Sequence, residues 1–201
     1  MTLHNNIVTA IILLKGRIRL HGGKLNLEYR GRSLKFLYNE WVAYPLEEIF
    51  IKEEYAALKV DGKRVVDIGA SIGDTAVYFA VNGAEGVVGY EPDPVRYQEA
   101  VKNIEINELG ERIKLINGVY VANDADKDAL FKIDCEGCEY ALLPVLKTVR
   151  PSEIILEFHK GSEEIVSSLS EYYKVNSLKN YRADMGMLHL VRISQPERSV
   201  N

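Results

Sequence analysis

The sequence predicts an α/β fold: a mostly parallel β-sheet with helices on both faces and an antiparallel final strand pair. From residue 63 onward, short apolar runs alternate with helical stretches, the pattern of repeated strand–helix units. The last two predicted strands are separated only by Leu178–Gly186, which is too short for a helical crossover, so we expect them to be antiparallel. A chain of 201 residues suits one domain with a small appendage.

The first 45 residues predict that appendage, a helix followed by a β-hairpin. Two stretches that alternate apolar and polar residues, Lys24–Tyr29 and Ser33–Tyr38, flank a turn at Gly31 and indicate the hairpin. A short helix over residues 4–15 precedes it.

The main domain is predicted over residues 46–194, with a tail over 195–201. Pro45 suits the first position of a helix, which we expect to end at Asp61-Gly62. Periodicity then predicts strands over 64–68, 86–91, 113–117, 130–134, 153–158, 173–177 and 187–193, and helices over 74–82, 94–107, 139–146 and 162–171.

Charge is spread unevenly along the chain. Residues 1–46 carry seven Lys/Arg against two acids, a net of +5, whereas the whole chain carries −4, so residues 47–201 carry −9. The acidic body is a poor binder of nucleic acid, but the basic N-terminal segment is a candidate surface for it.

Composition excludes several classes of protein. No apolar run approaches the roughly 20 residues that span a bilayer, so no transmembrane segment is predicted. Cys135 and Cys138 are too few for a disulfide framework, so we expect a reducing, cytoplasmic location. Their C-x-x-C spacing is interpreted as a coincidence within a longer motif.

A glycine-containing turn follows the first core strand, within residues 65–75. The strand runs into Asp67, and Gly69 and Gly73 lie where the chain must bend into a helix. Gly69 and Ala70 let the backbone approach a ligand, and the helix start offers N–H groups. In open α/β sheets, ligands bind in this crevice beyond the carboxyl ends of the strands.

Glu91 ends the next strand, 24 residues after Asp67. In nucleoside-binding α/β folds, an acid about 20 residues past the glycine turn accepts hydrogen bonds from the ribose hydroxyls. Together the turn and this carboxylate predict a ligand that contains a nucleoside.

Three motifs resemble those of class I S-adenosylmethionine-dependent methyltransferases, and more narrowly those of the FkbM-type family. They are D-I-G-A-S-I-G-D-T from Asp67, G-Y-E-P-D-P from Gly89 and K-I-D-C-E-G-C-E from Lys132. The third is the most specific to the FkbM type. The resemblance covers roughly residues 25–160. It implies a Rossmann-like seven-stranded sheet, S-adenosyl-L-methionine as cofactor, and methyl transfer to a hydroxyl of a small-molecule, sugar or lipid-type acceptor.

The same resemblance implies where the cofactor binds. Asp67 and the turn after it would line the methionine end, Glu91 would hold the ribose, and Pro92 and Asp93 would border the adenine. The full predicted set is Asp67, Gly69, Ala70, Ser71, Gly73, Asp74, Thr75, Glu91, Pro92, Asp93, Asn117 and Asp134.

Four polar residues near the ends of the fourth and fifth core strands are the predicted catalytic residues: Asp134, Glu136, Glu157 and His159. Asp134 and Glu136 are two residues apart, and so are Glu157 and His159. In an extended backbone the two side chains of each pair point to the same face. His159 is the best candidate for a general base, because imidazole titrates near neutral pH. An acid–His–acid cluster also fits a divalent metal, although no metal ligand is assigned.

Two other functions stay open at this stage. One is an RNA or protein methyltransferase that docks its substrate on the basic N-terminal segment; the other is a non-catalytic subunit that binds an adenosyl ligand. A nicotinamide oxidoreductase fits less well, because the turn has G-x-x-x-G rather than G-x-G-x-x-G spacing. The sequence does not predict an oligomeric state.

Overall fold

The computed structural model describes residues 2–39 and 41–193. Its strands are β1 Ile18–His21, β2 Lys24–Tyr29, β3 Arg32–Leu37, β4 Arg64–Ile68, β5 Gly86–Tyr90, β6 Ile113–Ile116, β7 Leu130–Ile133, β8 Glu153–Phe158, β9 Tyr173–Arg182 and β10 Met185–Arg192. Its α-helices are α1 Thr2–Leu14, α2 Ala43–Leu46, α3 Asp74–Val81, α4 Pro94–Ile106, α5 Leu143–Val149 and α6 Glu163–Leu169. A π-helical turn, Glu47–Ile51, and a 3₁₀ turn, Asp124–Asp126, complete the described elements.

The strands form two sheets. β1, β2 and β3 make an antiparallel three-stranded sheet, and the other seven strands pair in the order β6-β5-β4-β7-β8-β10-β9. The pairs β4–β5, β5–β6 and β7–β8 are parallel, whereas β10 is antiparallel to both β8 and β9. The predicted fold class, with its antiparallel final pair, is confirmed.

The chain divides into two compact units, residues 1–120 and 121–201. In the first unit, aromatic rings join the three-stranded sheet to the helical segments. Phe36 of β3 packs on Phe50 of the π-helical turn at 5.7 Å, and Tyr29 of β2 packs on Tyr78 of α3 at 5.8 Å between ring centroids. The predicted boundary between residues 45 and 46 therefore does not coincide with a division between compact units. The predicted tail, 195–201, lies outside the described residues.

Asn103 of α4 and Asn107, the residue that follows this helix, bind the open edge of β3. Asn107 accepts from the Lys35 N–H at 2.9 Å and donates to the Lys35 carbonyl at 2.7 Å, as a neighbouring strand would. Asn103 accepts from the Leu37 N–H at 2.8 Å and donates to the Ile72 carbonyl at 2.9 Å. Asn103 is 1% exposed, so these two bonds are made inside the protein. They link the three-stranded sheet to the turn that precedes α3.

In the second unit, β8 and β10 are the buried strands and β9 is the edge strand. After Tyr173, every residue of β9 is exposed. His189 of β10 is buried between Asn176 and Glu153, whose side chains lie 3.0 and 3.2 Å from its two ring nitrogens. Since the amide of Asn176 donates to Nδ1, the Nε2–H donates to Glu153, and this histidine is a structural residue.

Three elements differ from the sequence-based expectation. The helix predicted from Pro45 ends at Ile51, and Glu53 follows in the left-handed region with φ +50°. β1, Ile18–His21, was not predicted. The final pair closes tightly, since β9 extends to Arg182 and two residues separate it from β10. None of the described helices is long and apolar enough to cross a membrane.

Candidate cofactor site and catalytic cluster

Glu91 ties together the two strand-end loops of the first unit. It follows β5, and its carboxylate accepts the N–H of Ser71 at 2.8 Å on one oxygen and the N–H of Asp93 at 2.9 Å on the other. A carboxylate has about four acceptor sites, so one site on each oxygen stays open for two neighbouring hydroxyls. Two such acceptor sites suit the cis hydroxyls of a ribose, the ligand that the sequence predicts. Glu91 itself is 5% exposed.

The glycine turn after β4 uses its backbone N–H groups internally. The N–H groups of Gly69 and Ala70 both donate to the Tyr90 carbonyl at 3.0 Å, and the Gly73 N–H donates to the Ala70 carbonyl at 2.7 Å. The N–H groups of Gly69, Ala70 and Gly73 therefore shape the turn. From the sequence we expected N–H groups at the start of the helix to face a ligand, but these three donate to carbonyls of the protein.

Close packing explains the small residues in and beside this turn. Gly73 has φ +80°, and a Cβ there would lie 3.2 Å from the Cβ of Ala100. On β5, a Cβ at Gly89 would lie 2.7 Å from Leu115 and 3.1 Å from Ala70. The space between Ala70 and Leu115 thus leaves no room for a side chain at Gly89.

Three further predicted residues, Asp67, Asp74 and Thr75, join the turn to the strand before it and the helix after it. Asp67 is buried at the end of β4 and accepts a hydrogen bond from the Thr75 hydroxyl. Asp74, also buried, accepts the N–H of Thr75 at 2.9 Å. These contacts fix the start of α3 against the end of β4.

The loop after β5 is held by helix capping. Asp93 accepts the N–H groups of Val95 and Arg96 at 2.8 and 2.9 Å, so it is the N-cap of α4. Those backbone donors, the Arg96 N–H first, hold the pKa of Asp93 below its usual value. Pro92 is exposed, and the Asn117 amide donates to the Glu91 carbonyl at 2.8 Å. The predicted residues 67–75, 91–93 and 117 therefore lie together in one network.

The second unit brings three of the four predicted catalytic residues into one cluster. Asp134 follows β7, Glu157 belongs to β8 and His159 follows it. Each offers one ligand atom, and these atoms all lie within 4.8 Å of one another. All three side chains are half-buried. The alternation argument correctly placed Glu157 and His159 together.

Glu136 lies at the exposed edge of that cluster. Its carboxylate is 3.5 Å from His159 Nε2, and its side chain is 80% exposed. Glu136 has φ +56°, so the backbone leaves the extended conformation directly after Asp134. The expectation that both side chains point the same way assumed an extended strand here, and that assumption was wrong.

Glu139, which the sequence analysis did not select, holds His159. Its side chain is fully buried, and one carboxylate oxygen accepts the His159 backbone N–H at 3.0 Å and lies 3.1 Å from Nδ1. The other oxygen accepts the Gly137 N–H at 2.9 Å. Because a carboxylate only accepts, the proton of a neutral His159 sits on Nδ1 and the lone pair on Nε2.

Tyr140 extends this network to the loop after β8. Its hydroxyl donates to the Gly161 carbonyl at 2.8 Å and accepts the Lys160 N–H at 2.7 Å. Burial raises the pKa of its phenol, so the hydroxyl stays protonated at neutral pH.

Cys135 and Cys138 form a disulfide, with Cα atoms 5.4 Å apart. The bridge closes the loop between Asp134 and Glu139, so the C-x-x-C spacing has a structural use that the coincidence interpretation missed. The predicted reducing location of the protein stays a prediction.

No family model matches this chain. The chain is 35% identical over 102 residues to uncharacterized protein 65 of Sulfolobus islandicus filamentous virus (isolate Iceland/Hveragerdi), a stretch that covers 49% of this chain and 57% of that protein. It is 25% identical over 124 residues to uncharacterized protein 158B of Sulfolobus islandicus rod-shaped virus 1, covering 59% and 75% of the two chains. The chain thus spans little more than half the length of the first of these relatives.

Solved structures share the fold at low sequence identity. TYW2 of P. horikoshii, in complex with MeSAdo, superposes with a TM-score of 0.56 at 18% identity, covering 92% of this chain and 81% of that one. TrmK of M. capricolum, in complex with S-adenosyl-homocysteine, gives 0.55 at 18%, covering 71% and 67%. A ribosomal protein L11 methylase from Lactobacillus delbrueckii subsp. bulgaricus gives 0.54 at 15%, covering 70% and 76%.

One of these neighbours is named as a methylase, and the chain shares the Rossmann-like fold of all three. Their adenosyl ligands agree with the cofactor that the sequence predicts.

Proposed function

We propose that this protein is an S-adenosylmethionine-dependent methyltransferase that acts on RNA. The use of this cofactor is supported by the network around Glu91. That carboxylate joins the glycine turn to the loop after β5 through the N–H groups of Ser71 and Asp93. The cofactor would supply an electrophilic methyl group, and the turn and Glu91 would orient its adenosyl part. Positioning of this kind provides much of the rate in a group transfer.

Titration with S-adenosyl-homocysteine tests the cofactor. We expect saturable 1:1 heat in calorimetry and an upward shift of the melting temperature, whereas NAD and NADP should give neither. Stabilisation by NAD alone would contradict the proposal.

The outer face of the three-stranded sheet supports RNA as the acceptor. Arg19, Asn26 and Lys35 are register partners on adjacent strands, so they project from the same face, and both cations are exposed. Lys24 of β2 belongs to the same face, since it is two residues from Asn26 along the strand. Among the described strands, this face concentrates the basic residues of the N-terminal segment. Two other proteins that share the fold are named for action on RNA: Sp1610 of Streptococcus pneumoniae, a "putative tRNA (m1A22) methyltransferase", and PH1948 of Pyrococcus horikoshii, a "putative RNA methyltransferase".

RNA binding by this face can be tested with a charge-matched pair of double variants. Arg19→Ala with Lys35→Ala should lower the slope of log affinity against log salt by about 1.4 to 1.8, since each phosphate contact contributes about 0.7 to 0.9. Lys59→Ala with Lys114→Ala removes the same charge from exposed positions elsewhere in the unit and should leave the slope unchanged. Equal effects of the two pairs would mean that the sheet is not the RNA surface.

O-methylation of a small hydroxyl compound is the second candidate. The motif from Lys132 to Glu139 favours it, because it resembles the FkbM-type family most closely. Transfer of a labelled methyl group, assayed in parallel on RNA, protein and low-molecular-weight fractions, separates the two. Label confined to the small-molecule fraction would favour the FkbM-type activity over RNA. No label in any fraction, with S-adenosyl-homocysteine bound, would favour the non-catalytic subunit.

A further inference from the structure

We propose that Asp134, Glu157 and His159 form a binding site for a divalent transition-metal cation at the carboxyl ends of β7 and β8. Their three ligand atoms lie within 4.8 Å of one another, close to the ~4.4 Å that two trans ligands of one ion span when each bond is about 2.2 Å. The three residues come from two neighbouring parallel strands, which gives the cluster a rigid base. The site does not depend on which acceptor, or which cofactor, the protein uses.

Glu139 provides an independent reason to regard His159 as a metal ligand. Histidines that bind metals almost always donate their second ring N–H to a carboxylate or carbonyl, which fixes the tautomer and orients the ring. Here a fully buried carboxylate outside the three-residue cluster accepts from both the backbone N–H and Nδ1 of His159. The arrangement leaves the Nε2 lone pair for a cation.

The chemistry of the donors selects the kind of ion. Two carboxylates carry a formal charge of −2, which balances a divalent cation, and one imidazole favours transition metals such as Mn²⁺, Fe²⁺ or Zn²⁺ over Mg²⁺ and Ca²⁺. Three protein ligands leave positions open for water or for a substrate oxygen, as in catalytic rather than structural sites. Glu136 is close to Nε2 but mostly exposed, so it can move aside when an ion binds.

A bound cation would change the role predicted for His159. A ring whose Nε2 lone pair binds metal does not act as a general base. The cation would instead lower the pKa of an oxygen bound to it, which assists removal of a hydroxyl proton. Asp134 would then act as a ligand and not as a direct contact to the cofactor.

Titration of the full chain with Mn²⁺ after removal of metals by chelation tests this site. We expect one ion per chain by electron paramagnetic resonance and calorimetry, with ¹⁴N coupling in the pulsed spectrum from the His159 ring. Asp134→Asn, Glu157→Gln and His159→Gln should each weaken Mn²⁺ binding at least about 10-fold, and His159→Gln should remove the nitrogen coupling. Glu139→Gln should weaken binding by about 10- to 100-fold with the nitrogen coupling retained.

Glu171→Gln, an exposed carboxylate elsewhere in the same unit, is the matched control and should bind as the wild type does. The nitrogen coupling is measured on the unmodified protein, so the test survives if a variant fails to fold. Absence of a stoichiometric site in the wild type, a Mn²⁺ spectrum without nitrogen coupling, or unchanged affinity in all three ligand variants would each overturn the proposal.

Discussion

The strand-end loops of the two compact units use different chemical groups. In the first unit, backbone N–H groups of the loops after β4 and β5 meet one carboxylate, that of Glu91, or the Tyr90 carbonyl. In the second unit, the loops after β7 and β8 present side chains: Asp134, Glu157 and His159. Backbone groups fix a shape, whereas side chains supply protons, charge and metal ligands. The first region therefore offers a ligand a fixed backbone shape. The second offers side chains that can carry a proton or bind a metal ion.

Removing the carboxylate of Glu91 should have the largest effect on the first region. Glu91→Ala leaves the N–H groups of Ser71 and Asp93 without their acceptor and removes the proposed ribose contact. Hydrogen bonds to charged groups contribute about 1.5 to 3 kcal/mol each, so we expect S-adenosyl-homocysteine to bind about 100-fold more weakly. Calorimetry measures the affinity, and Glu105→Ala, an exposed glutamate of α4, serves as the control. Equal affinities in both variants would place the cofactor elsewhere.

Asn103→Ala should reduce stability next most. It leaves the Ile72 carbonyl and the Leu37 N–H without their partner in a buried place, at a cost of about 2 to 3 kcal/mol. Asn107→Ala, whose contacts with Lys35 are exposed, should cost clearly less. Urea unfolding of both variants measures the difference. A similar loss of stability in the two would show that burial of Asn103 is not what matters.

Gly73→Ala should destabilise the protein by about 1 to 2 kcal/mol, because alanine is strained at a positive φ and its Cβ would crowd Ala100. Gly110→Ala is the matched control, since nothing lies within 4 Å of a Cβ there and its φ is not positive. The melting temperature should fall for the first variant and stay or rise slightly for the second.

The smallest effect concerns the cap of α4. The pKa of Asp93 is lowered in the folded state, so its ionised form stabilises the protein above the ordinary carboxyl pKa, and this contribution is lost as the pH falls through the lowered value. Asp93→Asn cannot titrate. We therefore expect the gap in melting temperature between wild type and variant to shrink as the pH is lowered from about 6 to about 3. A gap that stays constant over this range would mean that the charge of Asp93 has no part in capping.

Much of the fold followed from the sequence because its signals are local. The apolar strands β4, β5 and β8 and the Asp93-Pro94 start of α4 were placed within a residue of their observed ends. Glu91 and the glycine turn were found by their spacing alone. Whether a short segment joins a sheet, and where a helix ends, depends on packing. The β1 strand and the early end of the helix after Pro45 were therefore missed.

The residues that were missed at the candidate sites act through buried contacts. Glu139 and Asn103 are polar residues in helical or turn segments. Only the folded chain shows that Glu139 binds His159 and that Asn103 binds the Ile72 carbonyl in the turn before α3. A polar residue at an otherwise apolar helical position was the one available signal for Asn103. For Glu136, the left-handed backbone after β7 could not be derived from alternation.

The amide side chains that bind β3 have a consequence for self-association. A strand with unsatisfied N–H and C=O groups can recruit a strand from another molecule, and proteins suppress this by charge, proline or a covering element. Here Asn103 of α4 and Asn107, which follows that helix, occupy hydrogen-bonding groups of Lys35 and Leu37 that an incoming strand would need. This part of the β3 edge is therefore blocked without a further strand, which protects it from pairing with a strand of another molecule.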